Sequence, residues 1–341
     1  VERDAPAGDF TFYEGPPTAN APPGIHHVEA RTFKDIIPRY KTMRGYRVRR
    51  KAGWDTHGLP VELQIEKKLG LKTKHDVETY GVAKFNAACR DSVWEFKEKW
   101  EDLTRKIGYW VDMENPYVTY EMPYVESIWW FLKQAWEKKL LVRDYKIVPW
   151  CPRCETPLSS HEVAQGYEDV DDPSVIVKLR MENGELIIPN VGPTFFLVWT
   201  TTPWTLPGNG ALAVHPEVEY AVVVQGDERL ILAKPLVARV LGEDAVIERT
   251  IMGCELVGLR YQPLYPRIDT AAYPEAYQVL DAEFVSIADG TGIVHIAPAY
   301  GEEDFAFKTR GIPPTFSVDT KGIMADGLPG AGKFAKQADV D

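Results

Sequence analysis

Near the start of the chain, Gly15-Pro16-Pro17-Thr18-Ala19-Asn20 runs into Gly24-Ile25-His26-His27, which places two imidazoles at the threshold of a helical pattern. Beside the unpaired N–H groups of a helix start, such rings can hold phosphate oxygens as negative charge collects on them. A Pro-rich surface loop with two exposed histidines has the same composition. Gly53-Trp54-Asp55-Thr56-His57-Gly58-Leu59-Pro60 is polar, aromatic and bracketed by glycine. Here Asp55 can pair with an ammonium group and Trp54 can flank an apolar substrate; alternatively, this is a tight turn over a buried Trp. In Trp199-Thr200-Thr201-Thr202-Pro203-Trp204-Thr205, hydroxyls at a strand end can orient a water or a substrate hydroxyl. The plainer reading is an edge strand rich in β-branched residues. Gly290-Thr291-Gly292-Ile293-Val294-His295 leads on to Gly301-Glu302-Glu303-Asp304. His295 and Asp304, nine residues apart, converge if the loop doubles back. General base, ammonium anchor and core histidine are all open there.

Trp150-Cys151-Pro152-Arg153-Cys154 admits two chemistries. Cys-x-x-Cys is half of a tetrahedral zinc site, and it is also the spacing of a redox dithiol. Pro157 follows Cys154 by three residues, where a thioredoxin-like site would begin its helix, so Cys151 and Cys154 read as half a zinc site. Arg39, Lys41, Arg44, Arg47, Arg49, Arg50 and Lys51 form a basic run that either meets phosphates or is a solvated face. Gly327-Leu328-Pro329-Gly330-Ala331-Gly332-Lys333 has the spacing of a phosphate loop. Phe334 stands where the Mg²⁺-binding hydroxyl belongs and no strand precedes it, so that motif is rejected.

The elements that must position these groups change character along the chain. Thr11–Tyr13 predicts a strand, and apolar spacing from Val28 to Met43 predicts a helix bent at Pro38. This strand–loop–helix opening suggests a Rossmann-like nucleotide site. Amphipathic stretches follow over 60–69, 82–106 and 123–139. Beyond residue 170, strands are predicted at Ser174–Leu179, Glu185–Ile188, Phe195–Thr200, Ala211–Val214, Tyr220–Val224 and Arg229–Leu232, with a short helix at Leu236–Leu241. The expected fold class is therefore α/β, followed by a β-rich, barrel-like second domain. With 341 residues, about two domains are expected, and a 45% hydrophobic composition excludes wholesale disorder. The net charge of −11 excludes a global basic field for nucleic acid. Neither a membrane-crossing apolar run nor a signal-peptide profile is present, and four cysteines suit a reducing compartment.

Taken in order, the motifs resemble one family, isoleucyl-tRNA synthetase, a class I aminoacyl-tRNA synthetase, from about Phe10 to about Ala325. The resemblance implies an N-terminal fragment: residues 1–145 as the N-terminal part of a Rossmann-like catalytic domain, 146–171 as a connector with a zinc-knuckle half-site, and 172–341 as an editing domain that stops short of its end. It implies ATP-dependent activation of isoleucine and its transfer to tRNA, with hydrolysis of valyl-tRNA in the inserted domain. Pro16 and Asp55 would hold isoleucine; Thr18, Asn20, Gly24, His26 and His27 would surround ATP. Cys151 and Cys154 would give one thiol pair of a zinc knuckle. Thr200, Thr201 and Thr202 would line the editing pocket, and Asp304, with His295 nearby, would anchor the α-ammonium of the misattached amino acid. ATP, Mg²⁺ and Zn²⁺ are the implied cofactors. The tRNA for isoleucine and isoleucine itself are the implied partners of a monomeric, cytoplasmic parent with no membrane association. The signature Gly24-Ile25-His26-His27 departs from the family's His-x-Gly-His, and no Lys-Met-Ser-Lys-Ser-like loop, second Rossmann half or anticodon-binding region is seen. A stand-alone editing deacylase of mischarged tRNA and a non-catalytic zinc or tRNA-binding module are the alternative expectations.

Overall fold

The computed structural model describes residues 5–164, 166–182 and 192–339, and the chain divides into two units, Val1–Asp144 and Tyr145–Asp341. In the first, β1 (Asp9–Thr11) leads through the Pro-rich loop into α1 (Ile25–Met43), and β2 (Arg47–Arg49) returns parallel to β1 with Phe10 opposite Val48. A parallel return needs a connection of this length. A second parallel pair joins β3 (Lys51–Trp54) to a later strand across α2 (Leu59–Leu69), α3 (Lys74–Tyr80), α4 (Val82–Ser92) and α5 (Lys97–Lys106). That strand is β4 (Asp112–Val118), and α6 (Met122–Glu137) follows it. The strand expected at 11–13 lies two residues earlier. The amphipathic stretch 82–106 is two helices rather than one, because the Phe96 N–H leaves the helical ladder to bond the Ala19 carbonyl at 3.0 Å.

The periodicity of α1 is as expected, but the face it buries is not the apolar one. Phe33, Ile36, Ile37, Tyr40 and Met43 are exposed, while Arg31, Asp35 and Pro38 are buried. Buried charge is tolerated only when paired and hydrogen-bonded. The Arg31 guanidinium lies over the Trp100 and Tyr109 rings and donates to Thr104 Oγ1, and Asp35 takes Arg39 and Arg50. Together with Arg47 on Asp9, these pairs occupy three cations of the basic run inside the unit itself. Trp54 packs in a small core with Ala19, Trp100 and Val118.

In the second unit, a short hairpin of β5 (Trp150–Cys151) and β6 (Thr156–Pro157) precedes α7 (Ser160–Ala164) and β7 (Val175–Arg180). The chain continues through β8 (Thr194–Thr200), a 3₁₀ turn at Pro203–Gly208, β9 (Ala211–Val214), β10 (Glu219–Gln225), β11 (Glu228–Ala233), α8 (Val237–Leu241), β12 (Val246–Met252), α9 (Gly253–Leu256), β13 (Val279–Asp281) and β14 (Ile293–Ile296). Two short helices, α10 (Glu302–Phe305) and α11 (Ala335–Ala338), follow. The expected strand at Glu185–Ile188 lies outside the described residues. One sheet has the order β12-β10-β11-β8-β7, antiparallel except for β11 on β8; the other is β13-β9-β14. Leu212 and Val214 point into the core between the sheets with Phe196, Val198, Tyr220 and Val222. Their neighbours Ala211 and Ala213 face Ile296, Phe307 and Ile312. On the far side of the larger sheet, Ala221, Val223, Leu230 and Leu232 lie under Val237 of α8. The inner strands β8, β9, β10 and β11 are covered on both faces and read as continuous apolar runs rather than alternating ones, whereas the edge strands β7 and β12 are largely exposed.

The architecture is mixed α/β, and the barrel expectation is corrected: neither sheet closes. Closure requires every strand to pair on both sides. Here β12 and β7 end one sheet, and β13 and β14 the other. No helix among the described residues is long and apolar enough to cross a membrane.

Candidate active site

In the second unit, the far end of β8, the 3₁₀ turn, β14 and α10 surround a cleft of about 830 Å³. Trp204, Tyr300, Phe316 and Phe334 give it apolar walls, and Thr202, Thr205, His295 and Asp304 supply polar groups. A few polar groups set in an apolar wall fix the orientation of a bound molecule.

Two glycines make this geometry. Gly292 has φ +73°, and a Cβ there would sit 2.3 Å from the Ala233 Cβ. Only a bare backbone lets the turn pass so close to β11 and start β14 in register. The buried Tyr220 hydroxyl then pins this turn by donating to the Gly292 carbonyl at 2.8 Å, which delivers His295 to the cleft. Gly301 precedes α10, and a Cβ on it would lie 2.7 Å from the Asp304 carboxyl carbon. Its absence allows that side chain to fold back, where Oδ2 accepts the Ala297 N–H at 2.9 Å.

Burial governs the electrostatics. Enclosure pulls the His295 pKa down to about 4, so the ring is neutral at physiological pH. Its Nε2 lies 3.0 Å from Thr205 Oγ1, and its Nδ1 is buried with no partner. Burial, helped by neighbouring Glu303, raises the Asp304 pKa against the opposing pull of the Ala297 N–H. Thr205 is joined to Thr202 at 3.2 Å, and Thr202 to Thr200 at 3.3 Å.

The three expected threonines separate. Thr202 lines the cleft, and Thr200 stands behind it, accepting the Thr202 N–H at 3.1 Å. Thr201 is exposed and does not line the cleft, contrary to expectation, because an extended chain sends alternate residues to opposite sides. Thr205 belongs here and was not singled out in sequence. The signal available was its spacing of three from Thr202, which a 3₁₀ turn stacks on one side.

In the first unit, the Asp55 N–H bonds the Pro17 carbonyl at 3.0 Å, bringing the half-buried Pro16 loop and the Asp55 loop side by side. Thr119 ties the second loop down: its Oγ1 accepts the Thr56 N–H at 3.0 Å and lies 3.0 Å from His57 Nδ1. Asp55 itself accepts the His57 N–H at 3.2 Å. His27 caps its own helix, with Nδ1 accepting the Gly24 N–H at 2.9 Å, and its ring meets Trp100 edge-on at 4.6 Å. Burial, with His26 next, lowers its pKa, whereas His26 is exposed. Thr18 is half-buried, and Asn20 is buried with its carbonyl held by Gln64 at 2.9 Å.

Cys151 and Cys154 sit in the β5–β6 hairpin, with the Cys154 N–H aimed at Cys151 Sγ at 3.4 Å. Burial raises the Cys154 thiol pKa, opposite to what a redox nucleophile needs. As a zinc site the donor set is incomplete: two sulfurs are present, and no third His, Cys, Asp or Glu joins them among the described residues.

A family model described as tRNA synthetases class I (I, L, M and V) matches residues 1–300. The chain belongs to the class I tRNA synthetases. Among curated relatives of this synthetase chain, isoleucine–tRNA ligase of Thermus thermophilus is 53% identical over 325 residues, covering 95% of this chain and 31% of that one. Isoleucine–tRNA ligase of Clostridium tetani is 50% identical over 332 residues, covering 97% and 31%. The synthetase chain thus spans about a third of the length of these relatives. Among solved structures, one described as GlLeuRS-CP1 has a TM-score of 0.40 at 19% identity, covering 49% of this chain and 92% of that one. The editing domain of P. falciparum cytosolic leucyl-tRNA synthetase has a TM-score of 0.32 at 14% identity, covering 40% and 66%.

Proposed function

We propose that this chain is part of an isoleucine–tRNA ligase whose second unit is a hydrolytic editing site for valyl-tRNA. The observation that carries the reading is the convergence of Thr202, His295 and Asp304 on one apolar cleft, in a chain 53% identical to an isoleucine–tRNA ligase. A binding pocket rejects a ligand that lacks one methylene only weakly, the isoleucine/valine pair being the established example of that limit. A second site that excludes the larger side chain by size and hydrolyses the smaller one restores accuracy.

In that site Asp304, held by Ala297, receives the α-ammonium of the misattached amino acid; the incoming charge favours the carboxylate that burial alone disfavours. The aromatic walls bound the space left for the side chain. The Thr202 hydroxyl, or the terminal hydroxyl of the tRNA, orients a water for attack on the ester carbonyl. Neutral His295 accepts or donates hydrogen bonds and carries no charge at neutral pH.

The first unit is the Rossmann-like N-terminal half of the activating domain. Pro16 and Asp55 hold isoleucine; Thr18, Asn20, Gly24, His26 and His27 surround ATP, which enters with Mg²⁺. His27 approaches ATP through Nε2, since Nδ1 caps the helix. Cys151 and Cys154 are one thiol pair of a zinc knuckle whose other ligands are not among the described residues.

The test is deacylation of valyl- and isoleucyl-tRNA, both built on the tRNA for isoleucine, by the wild-type chain and Asp304→Ala. The expected outcome is selective release of valine by the wild type and loss of that selectivity in the variant. A folded wild-type chain that releases neither amino acid would overturn the reading.

A further inference from the structure

The first N–H groups of any helical turn have no earlier carbonyl within the turn to bond. In the 3₁₀ turn Pro203–Gly208, Pro203 has no N–H to place, and the Thr205 N–H goes to the Thr202 carbonyl at 2.9 Å. The Trp204 N–H is left. A hydroxyl just ahead of the turn is the usual acceptor, and Thr202 stands in that position. Yet the Thr202 side chain makes no such bond: at φ −132° and ψ 68° its backbone is off the extended geometry of a capping residue. The Trp204 N–H is taken instead at 2.8 Å by Oδ1 of Asp339, 135 residues away at the end of α11. The Asp339 side chain is wholly buried. Its Oδ2 has no hydrogen-bond partner among the described residues, and the Lys336 ammonium, 4.0 Å off, bonds Asp172 at 2.6 Å. Burying a carboxylate so incompletely paired costs stability. What Asp339 supplies in return is one bond, to the turn that carries Thr202, Trp204 and Thr205 to the cleft.

We propose that Asp339 is a positioning residue: it caps the 3₁₀ turn from a distant part of the chain, which leaves the Thr202 hydroxyl on the cleft instead of folded onto its own turn. The inference rests on the deacylase reading, in which that hydroxyl orients water, and deepens it by naming what keeps the hydroxyl available. Capping and chemistry compete for the same oxygen of Thr202, and the remote carboxylate removes the first demand. The contacts that remain to it, Thr205 Oγ1 at 3.2 Å and Thr200 Oγ1 at 3.3 Å, are long for hydroxyl pairs, so a bound ester or water can displace them. Thr202 is half-buried and lines the cleft, whereas Asp339 does not line it and touches no reacting atom.

The test compares the whole wild-type chain with Asp339→Asn and Asp339→Ala. The readouts are hydrogen exchange at the Trp204 amide, the Cγ2 scalar couplings that report the Thr202 χ1 rotamer, and single-turnover deacylation of valyl-tRNA. Asp339→Asn keeps an oxygen for the Trp204 N–H, so the rotamer should be that of the wild type and the rate within about twofold of it. Asp339→Ala leaves that N–H without its acceptor. Exchange there should quicken about tenfold and deacylation fall about tenfold, the scale of one lost hydrogen bond, as Thr202 turns to a new rotamer to cap the turn. A merely structural role predicts a lower unfolding midpoint and lower activity in Asp339→Ala with the Thr202 rotamer unchanged, and that result overturns the proposal. So does a folded Asp339→Ala whose Trp204 amide is as protected as in the wild type. Should Asp339→Ala fail to fold, a wild-type Trp204 amide that exchanges like an unstructured one, or a Thr202 rotamer altered in Asp339→Asn, overturns it equally. If amide and rotamer respond as expected while the wild type releases no amino acid, the capping role stands and the deacylase reading falls.

Discussion

Enclosure keeps His295 neutral and makes it a liability in acid. Its pKa is about 4 when folded against an ordinary value of 6.5, so the unfolded chain binds more protons between those limits. The contribution of this ring to stability is complete above pH 6.5 and drains away as pH falls toward 4, by up to about 3 kcal/mol if no other group intervened. Asp304 acts with the opposite sign: its raised pKa favours the folded state at low pH and is a burden as pH rises through the carboxylate range. The expected result is that His295→Gln flattens the fall in urea stability between pH 6.5 and 4, measured against the wild type at each pH. An unchanged slope would mean that other groups dominate acid unfolding.

At the scale of elements, the two glycines make separable predictions. Gly292→Ala puts a methyl group on a left-handed residue and against Ala233, so the second unit should lose about 2 kcal/mol or more in equilibrium denaturation. Gly301→Ala stands on an ordinary backbone (φ −105°) and meets the Asp304 carboxyl first. It should cost about 1 kcal/mol, since the buried Ala297 N–H loses its carboxylate, and depress valyl-tRNA deacylation by displacing that carboxyl, read from kcat and the unfolding midpoint together. The strands of this unit were legible because burial on both faces writes apolar runs: the expectation at Ala211–Val214 matches β9, and Tyr220–Val224 lies inside β10. By contrast, β12 was not seen, since most of Val246–Met252 is exposed at a sheet edge and Glu248, Arg249 and Thr250 interrupt its hydrophobicity. The burial sense of α1 was illegible for another reason. Periodicity locates a stripe, but only the partners at Trp100, Thr104 and Tyr109 show that Arg31 belongs inside. Within the cleft, residue types gave away His295, Asp304 and the Thr run. Which hydroxyls face inward depends on how the chain turns after Thr200, and no composition reveals that.

Across the molecule, the two units differ in how completely they cover themselves. The second buries both faces of its inner strands β8, β9, β10 and β11. The first leaves Phe33, Ile36, Ile37 and Tyr40 of α1 exposed, as well as Trp129, Trp130, Phe131 and Trp136 of α6. Contiguous apolar surface of this kind promotes association. The chain should therefore self-associate with rising concentration in sedimentation velocity, and the double change Trp129→Glu, Trp136→Glu should suppress this without lowering the unfolding midpoint, because both indoles are 67% exposed. The topology of the second unit also sets a timetable. β10 and β11 are joined by a tight turn, whereas β8 meets β11 only after β9 and β10 have intervened, and Thr205 finds His295 only when a 90-residue span has closed. Contacts of long sequence separation form late, since the entropy of closing the chain must be overcome first. In refolding from denaturant, backbone circular dichroism should therefore recover before ester cleavage does, leaving an interval in which the sheets exist and the cleft does not.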